Sequence, residues 1–342
     1  IVRIKPRIRG LQYRDRLVVD AGRLVRSNRP YPWSPICRIK DIDSGVVTRI
    51  AIDLQDWPNW FSHHALTHSD IVYKRCYDRK ITEIVEREYK VKVLPFGMSH
   101  SYGLDDNVFS QWKVKTLKLL GKLESVVNDP LRLKGPFSGK GANGLHTSVH
   151  VKSMSFVNVR AELPECYAFF QVKYYDWNNR WSTPLNEYRA EIIRNLKRHL
   201  GVRFQGGMYF DCPVPPAYQD CITNLPTTQA HYLDMVQQAT VVVSTNGFAQ
   251  SPPWKLCEYL QMGKCIVSEP IAYELPVSLV DGRDVLYFQT PDDCAVVCQS
   301  LLDNPRQMEK LGENARAFYE ANIKPRNKIL RTISHSLEAR LQ

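Results

Sequence analysis

The chain has 342 residues, of which 44% are hydrophobic and 24% charged, and this length predicts two domains with separate cores. No apolar run reaches the eighteen or so residues that cross a bilayer. Nine cysteines without a CxxC pair argue against a disulfide framework or a zinc site, so a soluble, cytoplasmic protein is the simplest expectation.

The formal net charge of +11 resides in the first part of the chain. Residues 1–150 hold 26 of the 46 basic side chains but only 15 of the 35 acidic ones, and residues 1–50 are the densest piece. Such a concentration attracts anionic surfaces, among them lipid headgroups at a membrane. Nucleic acid is disfavoured because the chain has no RNP motif, no finger spacing and no basic stripe interleaved with aromatic residues. An ordinary solvated surface is the alternative.

Alternating strand and helix patterns predict an α/β domain over residues 1–150. Residues 1–10 are too basic to be a confident buried strand, and the Gly-, Ser- and Lys-rich stretch 131–150 is typical of a loop or interdomain linker. We expect helices at 15–26, 79–89 and 109–127, and strands at 48–54, 70–73 and 91–94.

The same alternation predicts a second α/β domain over residues 151–325. A last helix from 325 to 341 is long enough for residues 326–342 to cross back to the first domain. This order of elements favours parallel sheets. We expect strands at 155–159, 167–174, 202–204, 240–244, 265–267 and 285–288, and helices at 185–200, 227–238, 292–302 and 305–321.

The segment 241–270 is the most informative part of the sequence. It reads VVVSTNGFAQSPPWKLCEYLQMGKCIVSEP and predicts a strand, a loop, a helix and a second strand. Asn246 and Gly247 end the first strand in a turn, where their backbone N–H groups are candidates for binding a phosphate. Ser251 stands at the N-cap ahead of two prolines that suit a first helical turn. In such a βαβ unit the N-terminus of the helix offers N–H groups and a positive dipole to a phosphate.

Lys255 and Glu258 lie on the predicted helix one turn apart. The lysine would add a point charge beside a diphosphate. The two oxygens of the glutamate suit a pair of sugar hydroxyls, as the acidic residue of dinucleotide-binding folds does. A solvated ion pair between the two side chains is the alternative.

This segment resembles the nucleotide-sugar-binding segment of GT-B glycosyltransferases, especially the family 4-like (group 1) enzymes. Their pattern, E-a-hydrophobic-x-x-G-x-P-V, matches EYLQMGKCIV from Glu258 to Val267. In that family a Lys or Arg binds the donor diphosphate and the Glu binds the ribose. Gln250 stands where those enzymes usually carry a first glutamate, which weakens an assignment to their retaining mechanism. The resemblance covers residues 165–335 well and the first 150 loosely.

The resemblance implies an α/β protein of GT-B architecture, two Rossmann-like domains with a cleft between them. It implies a glycosyltransferase that moves a sugar from a nucleotide-sugar donor to a glycan, lipid-linked or other hydroxyl acceptor, with no metal and no cofactor, as in polysaccharide biosynthesis. The acceptor would bind the basic first domain, and residues 1–50 could hold the protein peripherally at an anionic membrane. The alternatives are a nucleotide-sugar epimerase of the same fold and a non-catalytic binder of anionic polymer.

Candidates for the catalytic base lie in the first domain. Asp53 and Asp56 follow the predicted strand 48–54, where a carboxylate serves either as a base or acceptor ligand or as the cap of the next turn. His64 is the third candidate. Its i,i+4 spacing to His68 is compatible with zinc, but no acidic ligand pattern follows, so no metal is predicted.

Further candidates for donor binding follow other predicted strands. Lys74 begins a basic pair at the end of the strand 70–73, where it either contacts a phosphate or forms a surface pair. Arg180 is a candidate phosphate ligand in the loop after the strand 167–174. Tyr209 follows two glycines at the place where GT-B enzymes usually clamp the nucleotide base. Arg189, on the next helix, is expected to be solvated.

Overall fold

The computed structural model describes residues 2–7, 15–29, 31, 34–98, 102–103, 152–153, 163–177 and 179–339. It is an α/β fold with two five-stranded sheets, which confirms the predicted fold class. The predicted helix 109–127, strand 155–159 and linker 131–150 lie outside the described residues, as does the predicted domain boundary at residue 150.

The first five-stranded sheet is mixed, with the order β1-β4-β5-β7-β8. Its last three strands are parallel to one another, whereas β1 and β4 pair antiparallel at one edge. In chain order the elements of this half are β1 Val2–Arg7, β2 Arg16–Asp20, β3 Arg23–Arg26, β4 Ile36–Asp41, β5 Val47–Asp53, β6 Trp60–Ser62, α1 His63–His68, β7 Ile71–Lys74, α2 Arg79–Tyr89, β8 Lys92–Pro95 and β9 Tyr102–Gly103. A two-residue strand, β10 Lys152–Ser153, pairs with β9.

The start of the chain differs from the prediction. The helix expected over 15–26 is wrong, because β2 and β3 form an antiparallel hairpin whose two turn residues, Ala21 and Gly22, both have positive φ, 45° and 76°. Two such residues make the turn that matches strand twist, and Leu17 and Val19 alternate with more exposed neighbours. The basic residues 2–7 also form a strand. They occupy a sheet edge, where charged side chains are tolerated.

The second sheet is entirely parallel, with the order β12-β11-β13-β14-β15. Its strands are buried on both faces by helices, as their apolar runs require. The elements are β11 Ala168–Lys173, α3 Ser182–Leu200, β12 Phe204–Tyr209, α4 Gln229–Gln238, β13 Val241–Ser244, α5 Trp254–Gln261, β14 Cys265–Ser268, β15 Leu286–Tyr287, α6 Pro291–Leu302, α7 Pro305–Phe318 and α8 Pro325–Glu338. The strand order reverses between β11 and β13, and ligands of such sheets bind where the loops diverge.

The two glycines of β12 serve strand packing. The strand expected over 202–204 is displaced, since residues 201–203 form a 3-10 turn and β12 runs from Phe204 through both glycines. Their φ angles are 133° and 132°. A Cβ atom on Gly206 would lie 2.1 Å from the carbonyl oxygen of Phe170 on the neighbouring strand. Gly206 is therefore needed by the sheet itself, whereas a Cβ atom on Gly207 would lie 2.7 Å from the carbonyl oxygen of Cys221.

The last helix packs on the first sheet. Tyr73 on β7 donates its hydroxyl to the carbonyl of Thr332 at 3.0 Å and lies 2.9 Å from Ser336 Oγ. Lys328 donates to the carbonyl of Met98, and its ammonium lies 3.6 Å from the centroid of the Phe96 ring. These contacts hold α8, which follows the second half in the chain, against residues of the first half.

Substitution of Gly206 by Ala should destabilise the fold by about 3 kcal/mol or more, since the new Cβ has to displace backbone. Gly282 is the matched control, because it also has positive φ, 74°, but no atom within 4 Å of an added Cβ. Gly282→Ala should cost only about 1 kcal/mol. Urea unfolding measures both, and equal losses would mean that backbone strain alone makes Gly206 necessary.

Lys328→Met should become more stable relative to the natural protein as the pH falls. Burial lowers the pKa of the Lys328 ammonium from 10.5 to about 7; Cys257 opposes the shift, and Arg75 and Arg331 add to it. Between those values the unfolded chain binds a proton that the folded chain does not, so the natural protein loses stability as pH falls. Urea unfolding at about pH 10 and about pH 7 should show the difference grow. A constant difference would show that the ring of Phe96 holds the pKa near its ordinary value.

Candidate functional site

The candidate site lies where the second sheet reverses its order. The loop after β11 and the loop after β13 leave the carboxyl ends of neighbouring strands, and α5 begins there at Trp254. The predicted N-cap at Ser251 is wrong, because the cap position is Pro253 and no side chain caps it. A residue before proline is driven to extended conformation, and Ser251, which precedes Pro252, has a ψ of 142°. Pro253 is also extended, with a ψ of 143°. The helix therefore starts only after both prolines.

Lys255 lies in the first turn of α5. Its ammonium donates to the carbonyl of Gln171 on β11 at 2.5 Å and lies 4.5 Å from the centroid of the Tyr232 ring. Burial lowers the pKa of this ammonium, Glu258 opposes that shift, and Arg189 adds to it. An ammonium has three N–H donors, so the bond to Gln171 leaves two for an anion.

Glu258 lies one turn further along α5 and is buried, with 6% of its surface exposed. Among the described residues, none donates a hydrogen bond to its Oε2 atom. Burial raises the pKa of the carboxyl group, and the charge of Lys255 opposes that shift. Buried polar atoms in folded proteins almost always have a partner. The unsatisfied oxygen therefore marks a place for a donor that the described residues do not supply.

Arg189 on α3 also reaches this site, which corrects the expectation that it is solvated. It is 7% exposed and donates through Nε to Thr245 Oγ1 and through Nη2 to the carbonyl of Asn246, both at 3.3 Å. The signal in the sequence is its position on the buried face of α3, one turn before the apolar Ile192 and Ile193. The site thus holds two cations, Arg189 and Lys255.

The loop after β13 is closed by bonds within the chain. The N–H group of Asn246 donates to Glu269 Oε2 at 2.6 Å, and that of Gly247 donates to the carbonyl of Ser251 at 2.8 Å. Both N–H groups were expected to face a phosphate, and in this structure both already have partners. Glu269, at the end of β14, was missed by the sequence reasoning because it lies outside the matched helix pattern.

Two other predicted donor ligands lie on this side of the sheet. Tyr209 ends β12 and is half-buried, and burial raises the pKa of its hydroxyl. Arg180 is exposed in the loop after β11, with its guanidinium carbon 4.8 Å from the centroid of the Trp181 ring. The structure places both at carboxyl ends of strands, and their roles stay predictions.

Lys74 and Asp53 lie in the core of the first domain rather than in the cleft. They are 0% and 1% exposed, and the Lys74 ammonium lies 3.0 Å from Asp53 Oδ2 and donates to the carbonyl of Trp60 at 2.8 Å. Tyr31 donates its hydroxyl to the same carboxylate oxygen at 2.6 Å. The parallel register sets Asp53 beside Lys74 on neighbouring strands. Both side chains have hydrogen-bond partners within the first domain, and their proposed roles at a substrate stay predictions.

Arg75, the residue after Lys74, crosses to the second domain. Its guanidinium pairs with Asp56, donates to the carbonyl of Pro252 just before α5, and lies 4.4 Å from the centroid of the Trp254 ring. Successive side chains at a strand end point to opposite faces, so only one member of the basic pair could face the cleft. Asp56 keeps 38% of its side chain exposed and is the predicted carboxylate that remains near the cleft.

His64 lies on α1, with its ring centroid 4.1 Å from that of His68. Its backbone N–H donates to Asp15 Oδ1 at 2.8 Å. Among the described residues, no group of three or more His, Cys, Asp or Glu side chains is arranged to hold a metal ion. Within the same residues, no helix combines the length and the apolar surface needed to span a bilayer.

Comparison with known families identifies the segment that contains this site. Residues 189–333 match the family described as Glycosyl transferase-like. This segment is glycosyl transferase-like. It includes Arg189, Lys255 and Glu258, makes up less than half of the chain, and confirms the resemblance that the sequence of α5 carries. No curated protein matches the chain.

Similar solved structures are distant. Sucrose-phosphate synthase from Thermosynechococcus elongatus is 13% identical, with a TM-score of 0.41 over 81% of this chain, and the chain spans only 60% of that protein. A UDP-GlcNAc 2-epimerase from Neisseria meningitidis bound to UDP-GlcNAc is 13% identical, with a TM-score of 0.39 over 84% of this chain and 65% of that one. TarM of S. aureus is 12% identical, with a TM-score of 0.38 over 92% of this chain and 66% of that one.

Arg75→Lys should lower the free energy of unfolding by about 2–4 kcal/mol, because one ammonium cannot replace the guanidinium that holds both Asp56 and the Pro252 carbonyl. Arg79→Lys is the matched control. Arg79 also pairs across the two halves of the molecule, with Glu274 at 2.8 Å, but both side chains are exposed. Its replacement should cost less than about 1 kcal/mol. Denaturant unfolding compares them, and equal losses would contradict the special position of Arg75.

Proposed function

We propose that the protein transfers a sugar from a nucleoside diphosphate sugar to a hydroxyl acceptor. The observation that carries the proposal is the buried Oε2 atom of Glu258, which has no donor among the described residues. It lies one turn from Lys255, where the order of the second sheet reverses and ligands of such sheets bind. Lys255 and Glu258 both lie in the segment 189–333 that matches the glycosyl transferase-like family. Strand β11 precedes that segment.

The donor would bind with its ribose at Glu258 and its diphosphate toward Lys255. A carboxylate accepts hydrogen bonds from two vicinal hydroxyls, which would satisfy the unpartnered oxygen. The two remaining N–H donors of Lys255 and the charge of Arg189 would meet the phosphate oxygens. The N-terminus of α5 adds its positive dipole at the same end.

Transfer forms a bond between the acceptor oxygen and the anomeric carbon of the sugar. The bond from that carbon to the phosphate oxygen breaks, and its electron pair leaves with the nucleoside diphosphate. Lys255 and Arg189 would stabilise this charge in a partly buried site without a metal ion. The acceptor proton needs a base in an inverting reaction, and Asp56 is the candidate because its carboxylate is partly exposed at the cleft.

The position of Gln250 separates the chain from the two-glutamate pattern. Gln250 is exposed, has a positive φ of 60°, and its Oε1 accepts from Asn246 Nδ2 at 3.3 Å. A neutral amide cannot supply the second carboxylate of the retaining family 4 enzymes. This observation favours the route with an acidic base in the first domain.

Glu258→Ala should weaken binding of the donor nucleotide by about 10- to 100-fold, since hydrogen bonds to a charged group contribute about 1.5–3 kcal/mol each. The affinity of Glu258→Gln should lie between those of the natural protein and Glu258→Ala, because an amide oxygen accepts hydrogen bonds but carries no charge. Calorimetry with UDP, GDP, ADP and CMP measures the affinities and identifies the base. Glu274→Gln, at an exposed carboxylate paired with Arg79, is the control and should bind normally. An unchanged affinity in Glu258→Ala would refute the assignment of Glu258 to the donor nucleotide.

Turnover separates the three classes of activity. Incubation with a panel of nucleotide sugars and candidate acceptors should release stoichiometric nucleoside diphosphate with the glycosylated product. An epimerase would instead return a nucleotide sugar with altered stereochemistry, and a binder would leave the donor unchanged. Either result would overturn the transferase proposal.

A further inference from the structure

Six aromatic side chains lie on the segments that follow the carboxyl ends of the strands, beside the proposed donor site. We call them the aromatic rim. Four come from the second domain, in the loops after β11 and β13 and at the start of α5, and two come from the segment after β5 in the first domain. They are Trp57, Trp60, Trp177, Trp181, Phe248 and Trp254.

The rim spans both domains through ring contacts. Trp57 stacks on Trp60 with ring centroids 4.8 Å apart and an interplanar angle of 18°. Its edge meets Trp181 of the second domain at 4.8 Å and 81°. On the other side of the loop after β11, Trp177 stacks on Phe248 at 4.9 Å and 17°. Neighbouring rings thus hold one another in fixed orientations.

Three tryptophans of the rim leave a large part of their surface in water. The exposed fractions are 55% for Trp177, 41% for Trp181 and 39% for Trp254. All three follow β11 or β13, and Trp254 directly precedes Lys255. Exposed indoles grouped at one site of a soluble domain mark a binding surface, because scattered single apolar residues are the norm.

The rim alternates apolar ring faces with charged groups. The guanidinium carbon of Arg180 lies 4.8 Å from the centroid of Trp181, and that of Arg75 lies 4.4 Å from the centroid of Trp254. An acyl chain would favour a continuous aliphatic lining. A sugar ring has an apolar C–H face and a polar edge of hydroxyls, and it matches an indole face flanked by hydrogen-bond donors.

We infer that the aromatic rim is the acceptor subsite and that the acceptor is a glycan, with sugar rings stacked on Trp177 and Trp181. This inference rests on the proposed function, since the acceptor hydroxyl has to reach the sugar held near Lys255. Trp254, at the start of α5, directly precedes Lys255. Trp57 of the first domain and Trp181 of the second are in contact. A glycan bound at this contact would therefore touch both domains.

Trp181→Ala tests the inference, with Trp181→Phe as the matched control that keeps an aromatic face. Titration with soluble oligosaccharides should show an affinity loss of about tenfold or more for Trp181→Ala and a loss within about threefold for Trp181→Phe. Calorimetry with the nucleoside diphosphate should give unchanged affinity for both variants. Unchanged thermal unfolding midpoints confirm that the variants fold, and Trp177→Ala provides a second exposed position.

The outcomes separate this inference from the donor assignment. Glycan binding that survives in both Trp181→Ala and Trp177→Ala would overturn the acceptor subsite, whatever the nucleotide affinity. Lost nucleotide affinity in Trp181→Ala would overturn it in favour of stacking with the nucleobase. If Trp181→Ala and Trp177→Ala bind glycans normally but no longer bind vesicles of phosphatidylcholine and phosphatidylglycerol, the surface binds lipid and the inference is overturned. By contrast, normal nucleotide binding in Glu258→Ala would refute only the donor site.

Discussion

The reversal of strand order between β11 and β13 is the constraint on which the rest of the molecule depends. Parallel strands all end at one edge of the sheet, and at this reversal their loops part and leave a crevice. Lys255, Glu258 and Arg189 reach that crevice from two different helices. The six rim aromatics lie on the loops, helix start and first-domain segment around it. Chemistry that is spread over more than two hundred residues of sequence is brought together by this single feature of topology.

Much of the second domain could be predicted because its local signals agree with its tertiary structure. Apolar runs become strands, the stripe over residues 185–200 becomes α3, and the helix with Lys255 and Glu258 forms where its pattern indicates. Errors occur where backbone conformation overrides composition. Two prolines delay the start of α5, and Gly206 and Gly207 are strand residues explained by the close approach of β11 to the first and of residues 221–223 to the second. In the hairpin of β2 and β3, an inconspicuous Ala21 adopts positive φ.

The candidate site was harder to predict than the fold, because roles at a cleft depend on which face a side chain takes. Lys74 and Arg75 are adjacent and chemically alike, yet one is neutralised inside the first domain and the other reaches Pro252. In the same way, Asp53 is buried beside Lys74, whereas Asp56 pairs with Arg75 and stays partly exposed. Arg189 needed a view of the tertiary structure, since a cation on an apolar helix face is read as solvated until its partners on another loop are known. Local sequence does not show which of two similar neighbouring residues faces the cleft.

The guanidinium of Arg75 links the first domain to the start of α5 in the second. It pairs with an acid of the first domain, holds the carbonyl that precedes α5 in the second, and covers the ring of Trp254. Any widening of the cleft removes a partner from a buried cation and from a backbone carbonyl together, which is costly. A separation of the two halves would therefore also release the start of the helix that carries Lys255. One side chain thus ties the distance between the halves to the order of the first turn of α5.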